Sequence, residues 1–264
     1  MSRLFSAGLA ILFLFPLLWS GYSSVKGQPG TNQPEGFGLG NYQAMARYGE
    51  GLFTYLTNTA IVSGLTVLGT LLVSVLGGYG FARFRFPGKN LLSLATLAIL
   101  MVPYATLLIP LYVLLNRLGL QNSLIGLSLV LAMFQLPFAT YMMRISFEAV
   151  PRELEESALI DGCGSFDILR RVLIPSVRPG LITVSLFAFL AAWNDFFAPL
   201  ILISESTKQT LTLAVANLRQ QTMGAIDYGA TEAGVVVMAL PCLILFLLLQ
   251  GHYVRGFMSG AVKG

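Results

Sequence analysis

The sequence predicts an all-α integral membrane protein of six transmembrane helices, and three features carry that prediction. Hydrophobic residues make up 55% of the chain and charged residues 11%, with a mean hydropathy of +0.74, whereas a soluble domain carries about 25% charged residues. Apolar runs of bilayer-spanning length recur six times, at 4–23, 56–81, 91–115, 123–143, 181–203 and 233–250. These runs lack the alternation of barrel strands and are about twice as long as such strands need to be; helices, moreover, satisfy every backbone polar group internally, as lipid demands.

The first run opens like a signal peptide, with Arg3 ahead of an apolar core. Its apolar stretch continues through Pro16 and Trp19 to Tyr22 with no small-x-small cleavage pattern, so an uncleaved helix with an interfacial Trp/Tyr pair is expected. The second run places Thr66, Thr70, Ser74, Gly78 and Ala82 four residues apart, a stripe of small side chains that lets another helix approach closely, either at a subunit seam or within the fold. Pro103 and Pro110 in the third run each remove a backbone hydrogen bond and predict kinks. The fifth run contains Trp193, Asn194 and Asp195, and an intramembrane carboxylate is a functional candidate by default. Cys163, in a loop, and Cys242, within the last run, lie at depths that no disulfide can join.

The basic residues sort by side of the membrane. With the N-terminus inside, the inner segments hold eleven: Arg3, Arg83, Arg85, Lys89, Arg144, Arg152, Arg170, Arg171, Arg178, Arg255 and Lys263. The outer segments hold five: Lys26, Arg47, Arg117, Lys208 and Arg219. The positive-inside rule then puts both termini in the cytoplasm. The net charge of +4 follows this pattern and implies no nucleic-acid partner. The outer loops are 24–55, which opens as a turn-rich segment, 116–122 and 204–232.

The unusual inner segment is 144–179, which holds six of the twelve acidic residues. Pro151 suits a helix start, and Glu153, Glu155 and Glu156 in the first turns complement the helix dipole. Gly162 and Gly164 then end that helix, and a second, basic and apolar helix follows until Pro175 breaks it. The result is a short helix held off the bilayer whose carboxylates can pair with arginines of a cytoplasmic partner.

This segment resembles the EAA motif of the membrane subunits of binding-protein-dependent ABC importers: Glu-Ala-Ala, three residues, Gly, nine residues, Ile, one residue, Leu-Pro. Glu156, Ser157, Ala158, Gly162, Val172, Ile174 and Pro175 match with every spacing kept, and Ser157, Val172 and Ile174 are conservative departures. Asn58, the Gly78-Tyr79-Gly80-Phe81-Ala82-Arg83-Phe84 stretch, Asp161-Gly162 and Trp193-Asn194 are similar to the carbohydrate branch, the branch of maltose-type permeases.

The resemblance implies a type I importer permease fold, a single transmembrane domain over 1–264, in the cytoplasmic membrane of a prokaryote. It implies that Glu156, Ser157, Ala158, Asp161, Gly162 and Pro175 form an ATPase-coupling element, with Glu156 meeting an ATPase arginine. The implied partners are a second permease subunit, a cytoplasmic ABC ATPase dimer that binds ATP and Mg, an extracytoplasmic solute-binding protein and membrane lipid. The implied solute is a sugar or sugar-like molecule, for which Tyr104, Trp193, Asn194 and Asp195 offer aromatic faces and hydrogen-bonding groups.

Other chemistries find little in the residues. No G-x-x-x-x-G-K-[ST] occurs; Gly88-Lys89-Asn90 lacks both the upstream glycine and the hydroxyl, so no ATPase site of its own and no bound cofactor is expected. The single histidine, His252, beside Tyr253, has no neighbouring cysteine or carboxylate with which to hold a metal, and no G-x-S-x-G suggests a nucleophile. An ion-coupled secondary transporter using Asp195 is the alternative, but its kind shows several buried ionisable groups and an internal repeat. Asp195 then reads as the lip of a solute pathway or as an interhelical hydrogen-bond partner.

Overall fold

A computed structural model describes residues 2–27, 36–221 and 227–261. The turn-rich stretch 28–35 and part of the last predicted outer loop, 222–226, lie outside the described residues, as do the side chains of Arg3, His252 and Tyr253. The described residues are helical apart from loops and an isolated antiparallel bridge between Lys26 and Phe37.

In chain order the helices are α1 (Ser2–Val25), α2 (Gly40–Arg47), α3 (Leu52–Arg83), α4 (Lys89–Ala98, extended by a 3₁₀ turn to Met101), α5 (Tyr104–Arg117) and α6 (Leu124–Glu148). They continue with α7 (Glu153–Ile160), α8 (Ser165–Asp167), α9 (Ile174–Ser176), α10 (Arg178–Asn194), α11 (Phe197–Leu202), α12 (Leu211–Gln221) and α13 (Tyr228–Ala261).

Among the described residues α3, α6 and Tyr228–Leu249 of α13 are each long and apolar enough to cross a bilayer. Two bent pairs bring the number of such spans to five if each pair is one span, and the first apolar run contributes the shorter Ile11–Val25. The third predicted run is therefore not one kinked helix. Val102 and Pro103 are both extended, and the helices on either side of them meet at 102°. Pro110, the other predicted kink, lies inside an uninterrupted α5. The fifth run is likewise broken: α10 ends at Asn194 and the chain restarts as α11.

The chain divides into two units. One comprises the described residues of 1–60 and 194–249. Its core is Met45, Tyr55, Leu211, Ala214, Val215, Leu218 and Ala230. Polar side chains stitch its loops: Asn41 Nδ2 donates to the carbonyls of Ser24 and Lys26, both at 2.9 Å, and Asn58 Nδ2 donates to Thr207 O at 2.9 Å and Gln209 O at 3.0 Å. Thr59 Oγ1 receives the Leu211 N–H at 2.8 Å. The expected aromatic pair of α1 is present, with the Trp19 and Tyr22 rings 6.0 Å apart and both exposed.

The other unit comprises the described residues of 61–193 and 250–264. Here the small-residue stripe of α3 is buried: Thr66, Thr70 and Ser74 are fully covered. It packs against α6 of the same chain, where Thr66 Oγ1 donates to Ser128 O at 3.3 Å. Gly78 makes the closest approach, since a Cβ there would lie 2.6 Å from Met143 Cβ. Gly180 at the start of α10 is similarly tight, because its Cβ would meet Ser146 of α6. Arg144 of α6 bonds Glu148 and reaches Ser93 of α4, each at 2.8 Å.

Gly78→Leu should therefore force α3 and α6 apart and cost about 1–3 kcal/mol, as overpacking does, read as a lower unfolding midpoint of the detergent-solubilised protein. Gly80→Leu, two residues on, is the control and should leave the midpoint nearly unchanged, because nothing lies within 4 Å of a Cβ there.

Candidate coupling site

The site sits at the C-terminal ends of α3 and α6, within the unit formed around residues 61–193. α6 ends at Glu148, Val150 and Pro151 turn the chain, and α7 begins with Glu153, Glu155 and Glu156 in its first turn. It is held by little apolar burial of its own. Ala158 is its one buried residue and joins a core of Met143, Phe147, Val150, Ile168, Leu169 and Leu173.

The end of α7 is a Schellman turn. Gly162 N–H bonds Leu159 O at 3.0 Å and Cys163 N–H bonds Ala158 O at 2.9 Å, with Gly162 at φ +83. Glycine is needed there for backbone conformation rather than space, since a Cβ would meet nothing within 4 Å. Ser157, the departure from the motif's first alanine, donates its hydroxyl to Glu153 O at 2.7 Å within the helix.

Of the predicted coupling residues, the structure puts Ala158 inside and leaves Glu156, Ser157, Asp161, Gly162 and Pro175 exposed. Around them lie apolar side chains that the sequence reading did not single out: Leu154 is 46% exposed, Leu159 57%, Ile160 87% and Phe166 72%. An apolar surface beside a free carboxylate suits a groove on another protein.

The segment after Gly164 does not run as one ordinary helix. A short α8 leads into a π-helical stretch, Ile168–Leu173, and then α9. The widened turn precedes Pro175, which lacks an N–H and whose ring crowds the preceding carbonyls. Ser165–Ser176 and α10 then meet at 77°.

A second feature missed in the sequence is an ion pair between Arg83, the last residue of α3, and Glu155, with side chains only 8% and 16% exposed. Arg83 Nη2 also donates to Val150 O at 2.8 Å. Removing one member of such a buried pair leaves a charge without compensation, at about 3–5 kcal/mol. Tyr79 packs edge-on to Phe84 and Phe147 one turn away.

The solute candidates are divided between the two units. Tyr104 begins α5 with its ring edge-on to Phe134 at 4.6 Å, and Trp193 is buried and stacked on Phe189 at 5.3 Å. In the other unit Asn194 Nδ2 faces Cys242 Sγ at 3.9 Å, and Asp195 Oδ1 accepts the Ala198 N–H at 2.8 Å, closing the first turn of α11. Asp195 thus serves a backbone donor in the first turn of α11, a use that its place in the sequence does not announce. A cavity of about 650 Å³ lies among α3, α4, α5 and α6, and its wall, including Phe81, Leu92, Leu111 and Phe134, offers a polar solute few hydrogen bonds.

Residues 74–257 match the family model of the binding-protein-dependent transport system inner membrane component. The chain is 37% identical over 212 residues to the diacetylchitobiose uptake system permease protein DasC of Streptomyces coelicolor, covering 80% of this chain and 76% of that one. It is 32% identical over 256 residues to the trehalose transport system permease protein SugB of Mycobacterium tuberculosis, covering 97% and 92%. Its fold is similar to that of a bacterial ABC transporter involved in the import of the acidic polysaccharide alginate, with a TM-score of 0.80 at 20% identity over 95% of this chain and 94% of that one.

Because the constraint at Gly162 is its positive φ, Gly162→Val should unwind the end of α7, whereas Gly162→Asn should be tolerated better, since asparagine visits the left-handed region more easily. Hydrogen exchange at the Gly162 and Cys163 amides of the purified chain checks this. Exchange should rise in the order glycine, asparagine, valine.

Proposed function

Because the chain belongs to the family of binding-protein-dependent transport system inner membrane components, we propose that it forms, as one transmembrane domain, half of the translocation pathway for a sugar or sugar-like solute. The observation that carries the coupling part of this reading is α7. It keeps the full spacing of the family motif, is anchored inward through Ala158, and presents Glu156 with Leu154, Leu159 and Ile160 outward. That is the form of a helix that seats in a groove of a cytoplasmic ATPase. Glu156 there meets an arginine, and the apolar residues are desolvated around it.

The energy then comes from the partner. An ABC ATPase dimer binds ATP and Mg, and this chain, which has no phosphate-binding loop, hydrolyses none itself. A second permease subunit completes the pathway, and a solute-binding protein delivers from outside. The outer segment 204–231 is its proposed landing site, and Asn58 and Thr59 hold the start of that segment in place through Thr207, Gln209 and Leu211. A sugar is favoured by the named substrates of DasC and SugB, both more than 30% identical to this chain. Tyr104, Trp193, Asn194 and Asp195 remain the proposed solute contacts.

Orientation is tested first. Cys163 is half-buried, so the better probe is a cysteine introduced at the exposed Ser165 by Ser165→Cys in a Cys163→Ala background. In sealed right-side-out vesicles it should resist an impermeant maleimide and react after permeabilisation. Reaction in intact vesicles would place α7, and with it both termini, on the wrong side for this reading.

Docking is tested by Glu156→Lys, which sets like charges together where breaking a buried charge pair costs about 2–5 kcal/mol. The variant should insert normally, because Glu156 lies outside the apolar spans, and should lose the ATPase on affinity purification. Unchanged ATPase retention at normal expression would remove the docking role from α7.

A further inference from the structure

We infer that Arg83 and Glu155 are positioning residues that lock α7 to the inner end of α3, so that a push received by α7 moves the membrane helices rather than only the loop. This rests on the docking role proposed above. α7 is an eight-residue helix with one buried residue, Ala158, too little apolar burial to hold it rigidly against a load. What fastens it is polar. The Arg83 guanidinium grips the loop at two points: the carboxylate of Glu155 in the first turn of α7, and the carbonyl of Val150 just before that helix begins.

The two contacts use different nitrogens of one planar group, Nε and Nη2, a geometry that lysine cannot reproduce with a single ammonium. A buried pair of this kind adds little net stability over apolar packing, but it fixes relative position, because any slip of α7 separates two desolvated charges. The grip is made by the last residue of α3, so its other end is a helix of 32 residues. That helix packs on α6 through close contacts at Thr66 and Gly78. The division of labour within α7 is therefore sharp. Glu155 faces inward and holds the helix to the span, while the adjacent Glu156 faces outward and is free for the ATPase.

The test uses the complex purified through a tag on this chain, comparing Arg83→Glu, Glu155→Arg and the double swap, with ATP hydrolysis measured with and without added solute-binding protein. Hydrogen exchange of the α7 amides is followed in the same samples. Each single reversal should leave the ATPase bound, lower the stimulation by binding protein about tenfold or more and speed α7 exchange by a similar factor, as loss of a buried charge pair implies. The double swap should recover both within about threefold, incompletely because the new carboxylate cannot donate to the Val150 carbonyl. If the single reversals fail to accumulate, Arg83→Lys and Glu155→Gln carry the test and should lower the stimulation per assembled complex.

Stimulation per complex that stays at the wild-type level in the single variants, or a double swap that recovers neither readout, overturns the inference. Wild-type chain that retains no ATPase at all would instead sink the docking role of α7, a different failure with a different signature.

Discussion

Inside a bilayer no water is at hand to bond a free N–H or C=O, so each interruption of a helix must be mended within a few residues. The breaks in this chain show how. At the 102° turn of the third run, Val102 N–H bonds Ile99 O at 3.1 Å, and the Thr106 hydroxyl returns to Pro103 O at 2.7 Å. At the start of α6 the Ser123 hydroxyl accepts the Gly126 N–H at 2.9 Å. At the break in the fifth run Asp195 serves the N–H of Ala198. The carboxylate read as the lip of a pathway or an interhelical hydrogen-bond partner thus also meets this backbone demand.

The same demand explains why the apolar runs were legible and their internal breaks were not. Hydropathy reports burial in lipid, and the runs it marks fall on helices or bent helix pairs, three of them single helices long enough to span. It is silent on direction. Pro103 and Pro110 each follow a β-branched residue, Val102 and Ile109, so the local restriction that proline imposes on its predecessor is the same at both. Only at Pro103 does the chain turn; at Pro110 the helix continues. Which proline breaks a helix is decided by the packing around it, and a single sequence does not contain that packing in readable form. The small-residue stripe behaved similarly: period four announced a close helix neighbour, but only the fold reveals that α6 of the same chain supplies it.

The α7 segment was more legible, because its determinants are local. A proline start, early acids, a small residue and a glycine at the end describe a capped helix wherever they occur, and Gly162 takes the positive φ such an ending requires. What the residues did not announce was the partition between Glu155 and Glu156. It was nevertheless within reach of helix geometry. At about 100° per residue, an inward Ala158 sets Glu155 about 60° from the buried direction and Glu156 about 160° from it. One carboxylate then had to find an internal cation, and Arg83, closing an apolar helix at the same side of the membrane, was the nearest in kind.

That partition has a mechanical consequence. A helix that docks on a partner through one face and floats on the other transmits nothing, because the load is absorbed by the loops at its ends. Here the loops are poor transmitters on their own: one is a short turn through Val150 and Pro151, the other a Schellman turn followed by a π-helical stretch. Both can yield. The apolar contact of Ala158 resists compression but offers little against sliding, since dispersion contacts are non-directional. A buried ion pair whose arginine also holds the Val150 carbonyl resists sliding because its energy depends steeply on registry. With that pair at the first turn of α7, beside the exposed Glu156, a load applied to the outward face under the proposed docking would reach α3 through the pair as well as through the loops.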